Sequence, residues 1–302
     1  MSLYPPPQTL KAEVFARLPE TFRRLKRTPW ADFNKAGQPA DCFLEGPSFD
    51  RADNLFVTDI PHGRIFKLTP AGDWSLIAEY DGWPNGLKFH QDGRAFITDY
   101  KRGIMTLDVA TGQITPVIET VRSESLKGVN DLHFAMNGDL WFTDQGQTGL
   151  HDPTGRVYRY SAAGQLTCLV NTVPSPNGIV LDLAEKVCFV AVTRANAIWR
   201  LPIMPDGHVS KVGLAVQLSG GLAGPDGLAL DEEGGLVVAH AGMGCWRFDW
   251  LLRPTHFIEP VAGLFITNVA FKGRRLYMTE SDGGSIVVAD LPVAGKTTYG
   301  LS

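Results

Sequence analysis

Six polar residues recur along the chain at a nearly constant spacing, and their side chains are of the kinds that bind hard cations. Each stands before a short apolar run, and the gaps between them are 40, 45, 47, 49 and 42 residues. They are Glu45, Asn85, Asn130, Asn177, Asp226 and Asn268. If repeated units surround an axis, equivalent residues meet there. Two carboxylates and four amides would then form a ring of oxygen ligands suited to a divalent cation.

The sequence after each polar residue predicts the elements that would position it. After Glu45 comes a short strand, then the turn 51–54, and then a second strand that ends at Asp59. The other units repeat this order, and two more strands follow in most of them. Four short antiparallel strands per repeat of 40-odd residues are typical of a propeller blade. The sequence therefore predicts an all-β fold, a six-bladed β-propeller with a central divalent-metal site.

The N-terminal part of the chain is expected to close the ring. The sixth unit lacks its last strand, and residues 12–18 resemble the outer strands of the other units. Pairing there would leave no open sheet edge. Residues 19–41 fit no blade, and we expect a short helix or cap whose basic residues are a solvated surface cluster or, alternatively, a binding patch. On this interpretation residues 1–302 form one domain.

Composition argues against several classes of protein. The 302 residues carry a net charge of −4 without a long basic run, so nucleic acid and anionic membranes are poor partners. No apolar run approaches the roughly 20 residues that span a bilayer, and the first residues do not resemble a secretory signal. We expect a cytoplasmic protein, and the sequence leaves its oligomeric state open.

The cysteines predict no chemistry. The four, Cys42, Cys168, Cys188 and Cys245, lack metal-ligand spacing. Most lie in apolar strand patterns, so we expect buried free thiols in a reducing compartment, and a disulfide that involves Cys42 is the alternative. The sequence also contains no G-x-S-x-G, H-E-x-x-H, Walker A or G-x-G-x-x-G motif.

A cation at the ring would be held by two kinds of oxygen. Glu45 and Asp226 supply negative charge, and Asn130 and Asn177 supply neutral carbonyl oxygens. Oxygen-only ligation favours Ca²⁺, Mg²⁺ or Mn²⁺ over Zn²⁺, and we expect one divalent cation, with Ca²⁺ first. Asn-Gly and Asp-Gly also occur in ordinary turns, so a structural polar ring is the alternative. That alternative leaves two carboxylates at a crowded axis without a partner.

Residues that bind substrate should lie at the same end of the channel, in the loops after the second strands. The candidates are His62, Tyr100, Arg194 and His240 in these loops, with Asn85 and Asn268 of the ring. The alternative for each loop residue is a solvated or turn-bonded side chain. Three second strands end in Thr-Asp, at residues 58–59, 98–99 and 143–144. We expect these pairs to form hydrogen bonds in blade turns and not to do chemistry.

Five motifs carry a resemblance to a known family: LEGP at 44–47, VND at 129–131, WFTD at 141–144, PNG at 176–178 and GPDG at 224–227. With them the chain resembles the senescence-marker-protein/gluconolactonase (regucalcin-like) family, six-bladed propellers that hydrolyse lactones around a central divalent ion. Residues 28–38 and 44–46 look closest to its drug-responsive bacterial lactonases. The resemblance implies that Glu45, Asn130, Asn177 and Asp226 hold the metal, and that Asp226 is also the acid/base.

One position departs from the family pattern. Sugar-lactone members resemble one another in an Arg two residues before the third-blade Asn, whereas this chain has Gly128 there, beside Lys127. An aldonolactone is therefore not the expected substrate, while the expected metal site is unaffected.

These observations predict metal-dependent hydrolysis of a small-molecule lactone to its hydroxy acid. A cation would polarise the lactone carbonyl, a water bound to it or near it would attack, and a carboxylate would carry the proton. The spacing does not choose between Glu45 and Asp226 for the last role; only the resemblance does. The alternatives are an organophosphate triesterase of the same fold and a non-catalytic propeller that binds a partner.

Overall fold

Six β-sheets surround a central channel in residues 4–302, the part of the chain that the computed structural model describes. The sheets are the blades, numbered 1 to 6, at residues 44–79, 84–118, 129–173, 176–217, 224–259 and 266–290. The first strand of each blade contacts the first strands of both neighbouring blades, so these six strands line the channel. The prediction of an all-β, six-bladed propeller is confirmed.

The strands are short and follow one another as antiparallel neighbours within each blade. Blade 1 consists of Leu44–Phe49, Leu55–Asp59, Arg64–Leu68 and Trp74–Glu79. Blade 2 consists of Pro84–Phe89, Ala95–Asp99, Gly103–Leu107 and Ile114–Ile118. Blade 3 consists of Val129–Phe134, Leu140–Asp144, Gly155–Tyr160 and Leu166–Val173. Blade 4 consists of Pro176–Leu181, Val187–Val192, Ala197–Pro202 and Gly213–Gln217. Blade 5 consists of Gly224–Leu230, Leu236–Ala241, Gly244–Phe248 and Pro254–Glu259. Blade 6 contains Ile266–Lys272, Arg275–Glu280 and Ser285–Asp290. A small hairpin, Thr120–Val121 with Glu124–Ser125, follows blade 2.

Helices are few and short. The α-helix is Pro29–Asn34, and the 3₁₀ helices are Glu20–Phe22, Ile60–His62, Thr193–Ala195 and Tyr299–Leu301. Within residues 4–302, no helix has the length and apolar character needed to cross a membrane.

The N-terminal segment adds strands to two blades. Glu13–Arg17 pairs antiparallel with Ser285–Asp290 and supplies the fourth strand of blade 6, as the sequence predicts. Gln8–Lys11 pairs in parallel with Pro254–Glu259 and adds a fifth strand to blade 5, which the sequence does not indicate. The start of the chain therefore connects blades 5 and 6 before the chain enters blade 1.

Residues 19–41 form a cap over the loops of blade 1. Thr28 Oγ1 accepts a hydrogen bond from Ala31 N at 3.2 Å, which caps the helix Pro29–Asn34. Trp30 is buried beside Phe43, with the ring centroids 5.0 Å apart. Three basic residues of this segment form ion pairs within the chain, namely Arg23 with Asp41, Arg24 with Glu79 and Arg27 with Asp32. These pairs favour the surface cap over a binding patch, because the charges are already matched.

The cysteines follow the expectation with one exception. Cys42, Cys188 and Cys245 are buried free thiols, and no disulfide forms within residues 4–302. Cys168 is exposed, so the expectation of burial was wrong there. The reason is its place in Leu166–Val173, the outermost strand of blade 3, where much of the strand faces solvent.

Hydroxyl groups at the ends of second strands tie each of the first three blades to the next one. The side-chain oxygen donates to a backbone carbonyl of the neighbouring first strand, from Thr58 to Asn85, from Thr98 to Asn130 and from Thr143 to Asn177. The acceptors are the carbonyl groups of predicted ring residues. These bonds therefore fix the backbone of the ring as well as the contact between blades.

The aspartates of the same Thr-Asp pairs hold the start of the first strand in their own blade. Asp59 Oδ1 accepts from Phe43 N at 2.7 Å, and Asp144 Oδ1 accepts from Gly128 N at 2.8 Å. Asp99 accepts from the backbone N–H of residue 83 in the same way. The Thr-Asp pairs are thus structural, as expected, although the threonine bonds run between blades and not within a single turn.

We predict that Thr143→Val destabilises the propeller while Thr143→Ser does not. The valine leaves the buried Asn177 carbonyl without its donor, which costs about 1–3 kcal/mol, whereas serine keeps the hydroxyl. Thermal and denaturant unfolding of the two variants and the wild type measure the difference. Equal stability of Thr143→Val and the wild type would show that the bond between blades contributes nothing.

Candidate metal and substrate site

Five of the six predicted ring residues occupy equivalent positions near the start of the first strands, just before the pairing with the second strand shifts. They are Glu45, Asn85, Asn130, Asn177 and Asp226, each within the first three residues of its strand. Four are buried, while Asp226 is partly exposed. The strand pairing shifts just after this position in every one of these blades, as in a β-bulge. The extra residue bends the strand and brings two successive positions towards the channel.

The sixth ring position is occupied by Thr267 and not by Asn268. The pairing of first and second strands in blades 1 and 6 makes Thr267 the equivalent of Glu45. Thr267 Oγ1 donates to Leu44 O at 2.8 Å, so it ties blade 6 to blade 1. The sequence spacing placed the last ring residue one position too late, because Asn268 is the nearest polar amide but not the equivalent residue.

The position after the ring residue carries a side chain in two blades, as Asp131 and Asn268, and is glycine in the other four. Asn268 Nδ2 donates to Glu45 Oε2 at 2.9 Å and lies 3.4 Å from Asp131 Oδ2, so it bridges the two carboxylates. Two of these glycines, Gly86 and Gly227, provide the space for this bridge. A Cβ at Gly86 would stand 2.6 Å from Asp131 Oδ1, and one at Gly227 would stand 2.0 Å from Asn268 Oδ1.

Two residues of the site were not predicted. Asp131 is a third carboxylate of the site and is buried like Glu45, and its sequence signal is an Asp where most other units have glycine. Gln145 directly follows the second strand of blade 3, in a loop expected to border the pocket, but it was not among the candidate residues. Its Oε1 accepts from Asn130 Nδ2 at 3.0 Å, and its Nε2 donates to Ser175 Oγ at 3.0 Å. These bonds orient the Asn130 amide by its nitrogen and leave its oxygen free.

Three amide oxygens of the ring have no hydrogen-bond partner within residues 4–302, although they are buried. They are Oδ1 of Asn85, Asn130 and Asn177. Buried polar atoms are nearly always paired, and an unpaired one costs about 1–3 kcal/mol. Amide and carboxylate oxygens without donors are the ligands that Ca²⁺ takes. The donor set at the ring therefore fits a divalent cation.

Carboxylates alone would not complete such a site. Within the described part of the chain, no group of three or more His, Cys, Asp and Glu side chains is arranged to hold a metal ion. A cation at the ring would thus be held by amide oxygens together with the carboxylates of Glu45 and Asp226.

The carboxylates of the site repel one another inside the channel. Burial, with the charge of Asp131, raises the pKa of Glu45 to about 7. Burial and the charges of Glu45 and Asp131 raise the pKa of Asp226 well above its usual range, and burial raises the pKa of Asp131. A cation placed among these groups would favour their ionised forms and offset the repulsion.

A pocket of about 540 Å³ lies at the ring end of the channel and is lined by residues of the cap and of loops from blades 2 to 4. Two predicted substrate residues, Tyr100 and Arg194, line it. Gln145 lines it too, so the residue that orients Asn130 also faces the pocket. Arg194 is exposed and forms no ion pair within residues 4–302. Its charge partly opposes the rise that burial causes in the pKa of Asp226.

The other predicted loop residues lie elsewhere. His62 Nε2 is 3.0 Å from Asp41 O, so the cap holds this ring in place. His240 is fully buried beneath Gly221. Neither histidine lines the pocket, and a role in substrate binding stays a prediction for both.

Tyr100 packs against Gly128, the position at which the sequence was expected to depart from the family pattern. A Cβ at Gly128 would stand 2.6 Å from the Tyr100 ring, and the φ angle of Gly128 is +146°. No side chain fits at residue 128 while Tyr100 keeps this position. The pocket thus has an aromatic ring beside residue 128.

Comparison with known proteins agrees with the fold and the motifs. Residues 43–282 match the model of the SMP-30/gluconolactonase/LRE-like region. Lactonase drp35 of Staphylococcus aureus (strain MRSA252) is 31% identical over 227 residues, which cover 72% of this chain and 68% of that protein. The structure of a calcium-binding protein, regucalcin, from Agrobacterium tumefaciens superposes with a TM-score of 0.77 at 21% identity, over 96% of this chain and 98% of that one. A gluconolactonase from Xanthomonas campestris superposes with a TM-score of 0.74 at 23% identity, over 83% and 86%.

The chain belongs to the SMP-30/gluconolactonase/LRE-like family. The resemblance seen in its sequence motifs is thereby confirmed. The two superposed structures support the propeller fold.

We predict that the metal-free protein loses stability as the pH rises, because its site carboxylates must ionise next to one another. A carboxyl group whose folded-state pKa is raised stabilises the protein below its unfolded pKa, and this contribution is lost as the pH rises through the folded pKa. For Glu45 this stabilisation is lost between about pH 4.5 and about pH 7. The free energy of unfolding should fall there by on the order of 3 kcal/mol. Thermal unfolding in EDTA between pH 4.5 and 8 measures it.

The control is Asp131→Asn, which removes the neighbouring charge and should flatten this pH dependence. Saturating Ca²⁺ should raise the melting temperature more at pH 8 than at pH 5, because the cation competes with protons for the same oxygens. If the wild type and Asp131→Asn differ equally in stability at pH 5 and pH 8, the electrostatic account is wrong.

Proposed function

We propose that the chain is a metal-dependent lactonase that opens a small-molecule lactone to its hydroxy acid. Its membership of a family with lactonase relatives makes it a hydrolase of ester bonds. The observation that carries the metal dependence is the set of three unpartnered amide oxygens beside buried carboxylates at the ring. The adjoining pocket of about 540 Å³ is large enough for a small organic substrate.

The proposed ligands are Glu45, Asn130, Asn177 and Asp226, with one divalent cation, Ca²⁺ first. When bound, the cation would polarise the lactone carbonyl and stabilise the oxyanion that develops on it. The protein contributes rigid positions for the ligands, because threonine hydroxyls fix the backbone carbonyls of Asn130 and Asn177.

Asp226 is better placed than Glu45 to move a proton. Glu45 is 2% exposed, and its Oε2 already accepts hydrogen bonds from Gly46 N at 2.7 Å and Asn268 Nδ2 at 2.9 Å. Asp226 is partly exposed. We therefore assign to Asp226 the removal of a proton from the attacking water and its return to the leaving alkoxide.

Substrate recognition is assigned to the pocket residues Tyr100 and Arg194. Tyr100 Oη accepts a hydrogen bond from Gln147 Nε2 at 3.1 Å, which orients the ring beside Gly128. Arg194 offers an unpaired guanidinium group for a polar or anionic part of the substrate. This combination suits a lactone with an apolar face and one polar group better than a polyhydroxylated sugar lactone.

We predict that Asp226→Asn abolishes lactone hydrolysis at saturating Ca²⁺, whereas Glu45→Gln recovers most activity there. Each change removes one charge and keeps one ligand oxygen, so each should weaken Ca²⁺ binding. Only the change at Asp226 also removes proton transfer, a contribution of about 10²–10⁴ in rate. Initial rates on a lactone panel, measured against Ca²⁺ concentration, separate the two effects.

Two outcomes would count against this assignment. Full recovery of Asp226→Asn with excess Ca²⁺ would make Asp226 a ligand only. A Ca²⁺-loaded wild type that hydrolyses no lactone of a broad panel would remove the lactonase proposal, and organophosphate triesters would then be the next substrates to assay.

We predict that Arg194→Met raises KM for lactones with a polar or anionic substituent about tenfold, with a much smaller effect on unsubstituted lactones. The loss of one charge-assisted hydrogen bond, about 1.5–3 kcal/mol, accounts for this size. Arg200→Met is the matched control, since Arg200 is an exposed arginine in the third strand of the same blade, outside the pocket. Equal effects of Arg194→Met on both kinds of lactone would contradict a role in recognition.

A further inference from the structure

A second cavity, of about 360 Å³, lies at the opposite end of the channel. The later residues of the first strands form its walls, and none of the ring residues lines it. Residues 294–301 of the C-terminal segment line its other side. Tyr299 of this segment packs against Phe134, with the ring centroids 5.5 Å apart, so the segment is held against the blades.

Four basic side chains, Lys88, His133, Lys272 and Lys296, line this cavity together with one acidic residue, the exposed Glu232. His133 is 9% exposed, and its Nε2 has no hydrogen-bond partner within residues 4–302. Burial and the charges of Lys296 and Lys88 lower the pKa of His133 to about 3, so both ammonium groups act on this ring. A neutral imidazole in this place offers one N–H donor.

The charges of Lys88 and Lys296 are only partly matched by the protein, since Lys296 pairs with Glu185 at 3.7 Å and Lys88 acts on the carboxylates of Glu45 and Asp131 without an ion pair. Lys88 Nζ donates to Pro47 O at 3.3 Å and forms no ion pair in the described part of the chain. Lys296 Nζ lies 3.7 Å from Glu185 Oε1 and donates to Asp182 O at 3.3 Å. Partly buried positive charge without a close counter-ion is unfavourable. An anion in the cavity would supply a closer partner for both ammonium groups.

The remaining walls are largely apolar. They include Phe134, Val180, Leu228, Phe271 and Tyr299. A ligand that suits all the walls therefore combines a negative group with a compact hydrocarbon part. The volume is at the lower end of the range for small-molecule sites.

We propose that this lower cavity binds a small organic monocarboxylate, with its carboxylate among Lys88, Lys296 and His133 and its hydrocarbon part against the apolar wall. Hydrogen bonds between ammonium and carboxylate groups are about twice as strong as neutral ones. A cation is disfavoured there by the lysines, and an uncharged ligand would form no charge-assisted hydrogen bond with their ammonium groups. The site is separate from the ring, and its existence does not depend on the proposed lactone hydrolysis.

The test is binding of benzoate to the full-length Ca²⁺-loaded protein, with benzamide as the uncharged probe of the same shape. His133 ring signals in ¹H–¹³C NMR spectra report on the lower cavity directly, so benzoate that binds only at the ring is distinguished. We expect a saturable shift of these signals with benzoate and none with benzamide. An absent shift with benzoate, or an equal shift with benzamide, overturns the proposal.

Variants then test which lysine side chain binds the carboxylate of benzoate. We expect Lys296→Met to weaken benzoate binding about tenfold, equivalent to about 1.4 kcal/mol, and to leave lactone turnover unchanged. Lys272→Met is the matched control, because Lys272 also lines the cavity but its ammonium group already pairs with Asp53. Equal benzoate affinity in Lys296→Met and Lys272→Met would overturn the assigned role of Lys296.

Discussion

Hydrogen bonds from threonine hydroxyls to the next blade are the interaction on which the rest of this propeller depends. In blades 1 to 3 the donors end the second strands, and the acceptors are backbone carbonyls of Asn85, Asn130 and Asn177. Thr267 makes the corresponding bond from blade 6 to Leu44 O, next to Glu45. The bonds that join blades thus also hold the residues that face the channel. Apolar contacts between blades are strong but non-directional, so these bonds give the ring its fixed geometry.

The β-bulge after each ring position explains how the site holds more groups than six strands would otherwise present. Side chains normally alternate between the two faces of a strand, yet Asn130 and Asp131 both belong to the site. Two of the four glycines at the second position, Gly86 and Gly227, leave space for Asp131 and Asn268. Asn268 then meets Glu45 on one side and Asp131 on the other. Asp131, at the second position, adds negative charge beside Glu45. The charge of Lys88 partly opposes the resulting rise in the pKa values of Glu45 and Asp131.

The repeat of an Asx or Glu residue before an apolar strand was sufficient to predict the six blades and five of the ring residues. The sixth, Thr267, was missed because only strand pairing defines equivalence, and a polar amide stands one residue later. Asp131 was missed because sequence alternation assigns it to the opposite face, and the bulge overrides that assignment. Gln145 and the lower cavity depend on contacts between distant segments, as does the parallel strand Gln8–Lys11. No local pattern encodes such contacts.

The rigidity of the ring determines how its charge is handled. In a flexible loop, three carboxylates could move apart and recover hydration, but hydrogen bonds between blades fix the backbone at these positions. The remaining responses are to bind protons or to bind a cation. Protonation removes the negative charges of Glu45 and Asp226, whose pKa values are raised. It supplies no partner for the amide oxygens of Asn85, Asn130 and Asn177. A divalent cation at the ring would satisfy the carboxylates and the amide oxygens together, so the arrangement that we expect to destabilise the metal-free protein is also the one that would favour the proposed metal.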